Sequence, residues 1–576
     1  MTRQPATDHT TFEAALPDFS MNRQFLRSSG SGPALRIGII CLGKWIPRYA
    51  EQILEDIKAS HFAKLNCVIE WPESTGLIPA ARNSLLYRSY QKLVAALQPT
   101  TIDPLDLVER REDNSTESRP TVCRPSSTHP TAIATLVDQI NAMQLDVIIS
   151  FAAPSVNDIF RKSAAQGVWF YHLGHADVSD NGDDLVRKAL ENPSNTADIR
   201  LVRQNGNNVQ TTILRQASYS LSPTLSAKKN RFAPYFGSSW FVIEKLAELH
   251  ANGSISTLTN IEEKKQNSLQ GPGNRLIIHY LAQRLRGIMT RAPLRLRHQN
   301  VVVHWKIALR RSQQHLPEQE EADALPQFRW LQTPHSHFWA DPFLLEHDGK
   351  VWLFFEEYDR NRNKGHIACA KIDEYGRVGT VKTVLEKPWH LSYPQVFSHG
   401  GEVYMVPESV EHQTVDLYRA RHFPDDWVHE KQLLDVAVVD ATLQCRDGRW
   451  WMFASPMTIP GHAPITCLWT SDSLTGDWRL APSHHVSDDV HHARNAGAIA
   501  THNGHSYRVS QDCATTYGAA LWFNRIERWD ENHYAETPEK CLTGNKIPGL
   551  TGIHSYNRVG DIEVIDGRFV VALAKA

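Results

Sequence analysis

Asp341, Glu356, Glu408 and Asp440 are the residues whose type and spacing best suit chemistry. Asp341 and Asp440 stand eight residues before Gly349 and Gly448, while Glu356 and Glu408 stand seven after Gly349 and Gly401. Positions so placed face one another across the open end of an antiparallel hairpin and belong to one rim. The earlier position reads Asp341, Tyr393, Asp440 and Ala496 in succession, and the later one Glu356, Glu408, Ser455 and Gln511. Clustered carboxylates suit glycosyl chemistry, because one stays ionised as base or nucleophile while a neighbour with a raised pKa stays protonated as the acid. Asp341, Glu408 and Asp440 are therefore the candidate catalytic groups. Trp339, Glu356, Tyr393, Arg494, Asn495, Gln511 and His554, with Tyr556, are the groups that suit a bound sugar. A carboxylate at the end of a hairpin can equally serve to satisfy backbone donors, and that structural role stands beside the catalytic one.

The elements that must position these groups repeat. Five segments align, beginning at Ala340, Ser392, Val439, Asn495 and Gly560, each an aromatic-rich hairpin. Their turn glycines are Gly349, Gly401, Gly448, Gly504 and Gly567, spaced by 47 to 63 residues. That interval fits a four-stranded propeller blade, so residues 327–576 read as a five-bladed β-propeller. The last hairpin lies near the C-terminus, and residues around Phe328 to Trp330 are expected to supply a closing strand.

Upstream, strands alternate with helices. Leu35 to Gly43, Leu65 to Trp71, Leu145 to Phe151 and Gly167 to His172 read as strands, and Pro47 to Ser60, Pro130 to Met143 and Ser155 to Gln166 as helices. Alternation of this kind predicts a doubly wound, mainly parallel sheet over residues 34–250, with ligands bound beyond the carboxyl ends of its strands. His172 and His175 fall there. Residues 1–33 read as a disordered tail and 251–326 as a connector. The stretch Arg275 to Arg311 within it is basic and has no Asp or Glu. It is either a solvated helix packed across the junction or a contact for anionic lipid or a sugar diphosphate.

The formal net charge of −2 gives no global pull towards nucleic acid, and no nucleic-acid partner is expected. Eight cysteines lack any CxxC spacing, which argues for reduced structural thiols. No secretory signal and no apolar run approaching about 18 residues is found, so a cytoplasmic location is expected. The histidine pairs His335/His337, His484/His485 and His491/His492 lack a convincing ligand pattern, so no metal is expected. A cation held at the axis by His554 is the remaining metal option.

The runs WADPFLLEHDGKVWLFFEEY, HLSYPQVFSHGGEVYMVPES and VDATLQCRDGRWWMFAS, in that order, resemble the propeller domain of glucosamine inositolphosphorylceramide transferase-like proteins. That domain is similar to the five-bladed glycoside hydrolases of the arabinanase and xylosidase type. The resemblance covers about Trp330 to the C-terminus. It implies two working aspartates and a glutamate, at Asp341, Asp440 and Glu408. The N-terminal half, through DVIISFA, GVWFYHLGH and NRFAPYFGSS, resembles the Rossmann-like formyltransferase fold, whose members use an Asn-x-His motif, a downstream Asp and a formyl-tetrahydrofolate donor. His172 matches the histidine, Phe170 stands at the asparagine position, and Arg203 to Asn208 offers amides where the aspartate is expected. Without that amide and carboxylate, stabilisation of the oxyanion and proton transfer both suffer, so formyl transfer is expected to be impaired.

The expectation is thus an α/β domain followed by an all-β propeller, acting in glycan or glycolipid biosynthesis on a sugar or nucleotide sugar. Sugar transfer is the leading activity. The alternatives are glycoside hydrolysis, amino-sugar N-formyl transfer with the propeller as acceptor module, and a non-catalytic sugar-binding scaffold.

Overall fold

The computed structural model describes residues 17–72, 84–97, 102–111, 119–174, 183–192, 196–206, 211–258, 271–296, 299–530 and 532–574. It divides into two units, Met21–Ala282 and Gln283–Ala576, the latter joined by the segment ending at Ser20.

The first unit is a mixed α/β sheet. Thr121–Cys123, Ala63–Trp71, Leu35–Leu42, Val147–Ser150 and Val168–Leu173 lie side by side in that order and run parallel, and Thr196–Gln204 and Thr211–Ser220 continue the sheet antiparallel. The central strands Leu35–Leu42 and Val147–Ser150 are mostly apolar because helices such as Ala50–Ala59 and Pro130–Ala142 cover them. Ile37, Ile39, Val147, Ile148 and Val168 are fully buried. Within the stretch expected to be a disordered tail, Ser20–Phe25 forms a 3-10 helix. Its residues Met21 and Phe25 are buried, and Phe25 stacks on Trp240 with ring centroids 5.4 Å apart.

The second unit is a five-bladed propeller. Four blades are four-stranded meanders, over His337–Leu385, Ser392–Leu434, Val438–Ser487 and Ala500–Leu542. Their turns are the two-residue Asp-Gly, Gly-Gly, Asp-Gly and Asn-Gly loops, which hold both central residues at positive φ. Core side chains lie between blades. Phe343 and Phe354 pack with Tyr393, Met405 and Tyr418, and Trp451 and Phe453 with Trp529 and Tyr534.

The fifth blade corrects two sequence expectations. Gly567 is not a turn: Ile562–Ala574 runs straight through it, and the turn is Gly560-Asp561. A Cβ at Gly567 would sit 2.3 Å from the Trp330 ring, so this glycine serves close packing, which in sequence looks the same as a turn. The main closing strand is Gln299–Arg311, inside the stretch expected to be connector. It pairs in unbroken antiparallel register with Ile562–Ala574, from Gln299 opposite Ala574 to Arg311 opposite Ile562. Arg329–Trp330, the strand expected to close the ring, pairs outside it with two residues.

Near one end of this ladder Arg310 Nε donates to Glu563 at 2.7 Å, both side chains being buried. Glu563 also accepts from Leu316 N–H and Tyr556 Oη–H. Removing one partner of such a pair strands the other charge, at about 3–5 kcal/mol. Arg310→Met is therefore expected to destabilise the propeller by that amount, read from the denaturant midpoint of its unfolding. A loss below about 1 kcal/mol would show that the pair does not hold the closure.

Candidate active site

The first strand of blades one, two and three carries a bulge at its rim end, where register shifts between Ala340 and Phe343, Ser392 and Gln395, and Val439 and Thr442. Inside each bulge one residue adopts a left-handed backbone: Asp341 at φ 51°, Tyr393 at 43° and Asp440 at 53°. A bulge re-aims the side chain it contains, and left-handed backbone costs a non-glycine residue about 1–3 kcal/mol. The extra residue also moves the pairing by one. Glu356, Glu408 and Ser455 sit opposite Ala340, Ser392 and Val439, each the neighbour of the residue expected from counting.

Asp341, Glu356, Glu408 and Asp440 nevertheless come together. Asp440 N–H donates to Glu408 Oε2 at 3.1 Å, and Tyr393 N–H to Asp341 Oδ2 at 3.2 Å. Arg494 Nε donates to Asp440 Oδ2 at 2.6 Å, and the Gln511 amide reaches the same oxygen at 3.3 Å. Asn495 donates to the Asp440 and Phe453 carbonyls, fixing the bulge from behind.

Asp341 is braced from the fifth blade. His554 Nε2 lies 3.3 Å from Asp341 Oδ1, and His554 Nδ1 lies 2.6 Å from Asp566 Oδ1. Asp566, fully buried, also accepts from the N–H groups of Asp341, His554 and Ser555. The His554 ring stacks on Trp305, centroids 3.9 Å apart, and Tyr517 meets its edge. Arg494 lies over the Tyr517 ring at 4.8 Å.

Burial dominates the electrostatics. It pushes Asp341 up to about 7, against His554 but aided by Asp566 and Asp440. Glu408 is pushed up to about 8 by burial and then by Asp440, with Arg494 opposing. Glu356 is raised well above the usual carboxylate range by burial, Asp341 and Glu408. Burial opposes the charge on His554, but Asp566 and Asp341 outweigh it and its pKa is raised. The result is a cluster in which neutral acids and ionised groups coexist near neutral pH.

Three candidate sugar-binding residues are not presented to the site, among them Tyr556, which is buried with its hydroxyl donating to Glu563 at 2.7 Å. Trp339 points into the packing between blades one and five, where its Nε1 donates to Glu357 at 3.0 Å. Tyr393 is fully buried, with its hydroxyl bonded to Thr442 and to both the N–H and the carbonyl of Gly497. His172 lies in the other unit, buried on Val168–Leu173 opposite Arg200. His175, Asp177, Asn207 and Asn208 lie outside the described residues.

Trp305, Tyr517 and Asp566 join the site without having been expected from the sequence. Trp305 belongs to the closing strand, Tyr517 to a loop outside the repeat, and Asp566 reads as half of an Asp-Gly turn. Asp341, His554 and Asp566 each offer a ligand atom within 4.8 Å of the others, close enough for a cation. Both His554 nitrogens already face a carboxylate, so the same contacts hold without one. Of the histidine pairs, His337 faces Asp359 at 3.9 Å and His491 faces Asp512 at 3.0 Å.

These features place the second unit among five-bladed propellers with an acidic centre. A family profile described as "Glucosamine inositolphosphorylceramide transferase 1, N-terminal" matches residues 331–551. That span includes Asp341, Glu408, Asp440 and Arg494 and ends before His554 and Asp566. The chain is similar to Glucosamine inositolphosphorylceramide transferase 1 of Oryza sativa subsp. japonica, at 37% identity over 209 residues, covering 35% of this chain and 28% of that protein. It is similar to the protein of the same name in Arabidopsis thaliana at 36% identity over 206 residues, covering 35% and 27%. The match therefore spans little more than a quarter of these relatives' length. Among solved structures, a GH43_1 enzyme from Xanthomonas citri aligns with TM-score 0.31 and 12% identity, over 42% of this chain and 89% of that one. An α-L-arabinanase of Cellvibrio cellulosa aligns with TM-score 0.26 and 15% identity, over 34% and 76%.

A carboxyl group whose pKa is higher folded than unfolded binds its proton more tightly in the native state. Its stabilisation is complete below the unfolded pKa near 4 and is lost as pH rises through the folded value. Wild-type stability is thus expected to fall between about pH 5 and pH 8. Asp341→Asn and Glu408→Gln should each flatten that fall, as thermal midpoints across this range would show. A wild-type profile already flat would contradict the raised values.

Proposed function

We propose that the propeller is a sugar-transferring enzyme whose working groups are Asp341, Glu408 and Asp440. The observation that carries this reading is the pairing of unlike neighbours. Glu408, pushed up to about 8, is a proton donor at neutral pH, while Asp341, pushed to about 7 and backed by His554 and Asp566, can accept a proton there. Asp440 accepts from Arg494 and Gln511 and is held as the fixed negative partner beside a developing oxocarbenium ion.

In the proposed step Asp341 removes the proton from the acceptor hydroxyl as that oxygen bonds to the anomeric carbon. Glu408 delivers its proton to the oxygen that leaves with the rest of the donor. Arg494 keeps Asp440 in place, and burial, with Asp440 beside it, keeps Glu408 protonated. The relatives' printed name supports transfer over hydrolysis and a glycolipid over a polymer as acceptor; with water as acceptor the same residues would give hydrolysis. The α/β unit is kept outside the chemistry, because Phe170 stands where the formyltransferase resemblance asks for an asparagine. Cytoplasmic location is part of the proposal and is supported by cysteines that are all free.

The test is turnover by mass spectrometry with the full chain, nucleotide sugars and aryl glycosides, with and without formyl-tetrahydrofolate. Folate-independent transfer is expected, reduced about 10²–10⁴-fold by Asp341→Asn or Glu408→Gln and unchanged by His172→Ala. Formylated product lost only in His172→Ala would move the active site to the α/β unit. Sugar binding without turnover in wild type would make the propeller a binding module.

A further inference from the structure

The basic stretch before the closing strand begins as a 23-residue helix, Asn274–Leu296. One side of its first turns is core. Ile277 is buried with Tyr87, Val186 and Leu225, and Tyr280 packs against the same cluster. The Asn274 side chain accepts the Leu86 N–H at 3.2 Å and anchors the helix start.

An adjoining side, centred about 110° round the helix from the core face, is apolar and uncovered. Ile278, Leu281, Leu285 and Met289 are 57%, 49%, 58% and 64% exposed. At about 100° per residue these four positions fall within a sector of about 80°, a single stripe along the helix. Leu85 and Leu86, the latter bonded to Asn274, are also exposed beside the helix start. Arg275 and Arg286 lie about 60–80° round the helix from Ile278, so guanidinium groups border the stripe. No Asp or Glu occurs anywhere from residue 275 to 311. Among the described residues no helix is long and apolar enough to cross a membrane.

We infer that this helix lies on the surface of an anionic lipid bilayer, with the stripe in the acyl boundary and the arginines among the headgroups. An apolar stripe alone would suit any hydrophobic partner. Its basic border selects a negatively charged surface. The inference rests on this helix alone and does not depend on what the propeller catalyses.

The test is flotation of the full chain with vesicles of phosphatidylcholine alone and of phosphatidylcholine with about 30% phosphatidylserine, together with its mass in solution by light scattering. Binding to the anionic vesicles is expected, weakened at least about tenfold by raising salt from 0.1 to 0.5 M. Leu281→Asp with Leu285→Asp should abolish it, and Arg275→Glu with Arg286→Glu should reduce it about tenfold. All four side chains are exposed, so the variants should keep the wild-type circular dichroism and sugar turnover. Equal binding to neutral and anionic vesicles would overturn the charge selection. Absence of binding, or a dimer in solution that the leucine variants dissociate, would overturn the membrane assignment.

Discussion

The candidate site depends on one ladder, the pairing of Gln299–Arg311 with Ile562–Ala574. Asp341, Glu408, Asp440, Arg494 and Asp566 come from five different blades and are separated along the chain by tens to hundreds of residues. They meet only because the ring closes. Closure by pairing the strand that precedes blade one with the strand that ends blade five leaves no open edge between the first and last blades. It also carries Trp305 and Asp566 to the axis, one on each strand of the ladder. The brace on Asp341 is therefore part of the closure itself.

Like charges gathered in a dry centre repel, and the fold answers in two ways. It supplies a basic side chain to each carboxyl group: Arg494 to Asp440 and, at 4.0 Å, to Glu408; His554, itself held by Asp566, to Asp341; and His390, 3.5 Å away, to Glu356. It also leaves Glu356 and Glu408 to neutralise by holding protons, since burial raises both. All four acids thus have a basic side chain within reach, and for Asp341, Glu356 and Glu408 burial is nevertheless the largest influence and favours the neutral form. A purely structural carboxylate would be expected to spend its oxygens on backbone donors, as Asp566 does with three N–H groups. Glu408 accepts one such bond and Asp341 one beyond its histidine contact, which leaves acceptor capacity facing the centre.

Much of this is legible in the amino-acid sequence alone, because it rests on periodicity. Four Asp-Gly-like turns at propeller spacing locate four blades, and counting from them finds the four carboxylates. The count runs one residue out on the opposing strand because a bulge inserts a residue without leaving a mark in composition; Asp341, Tyr393 and Asp440 share the left-handed backbone although their side chains differ. That also explains the false expectation at Tyr393. It occupies the same device as the two aspartates, but its ring passes into the core and its hydroxyl ties down Gly497. Trp339 misleads for a plainer reason: side chains alternate along a strand, so the neighbour of a rim residue need not face the rim. Asp566 and Trp305 stay hidden because the fifth blade is assembled from both ends of the unit, and no local repeat can reveal a strand borrowed from more than 250 residues away.

The family match spans residues 331–551, which holds the three proposed working carboxylates and Arg494, and it excludes both strands of the closing ladder. A segment of that extent cannot form the centre described here, because blade five and the His554–Asp566 brace lie beyond it. The brace on Asp341, His554 and Asp566, is supplied by residues outside the match. Asp341 without Asp566 and His554 would lose its strongest opposing charge and its like-charged neighbour together, and the balance that leaves it near 7 would be a different one.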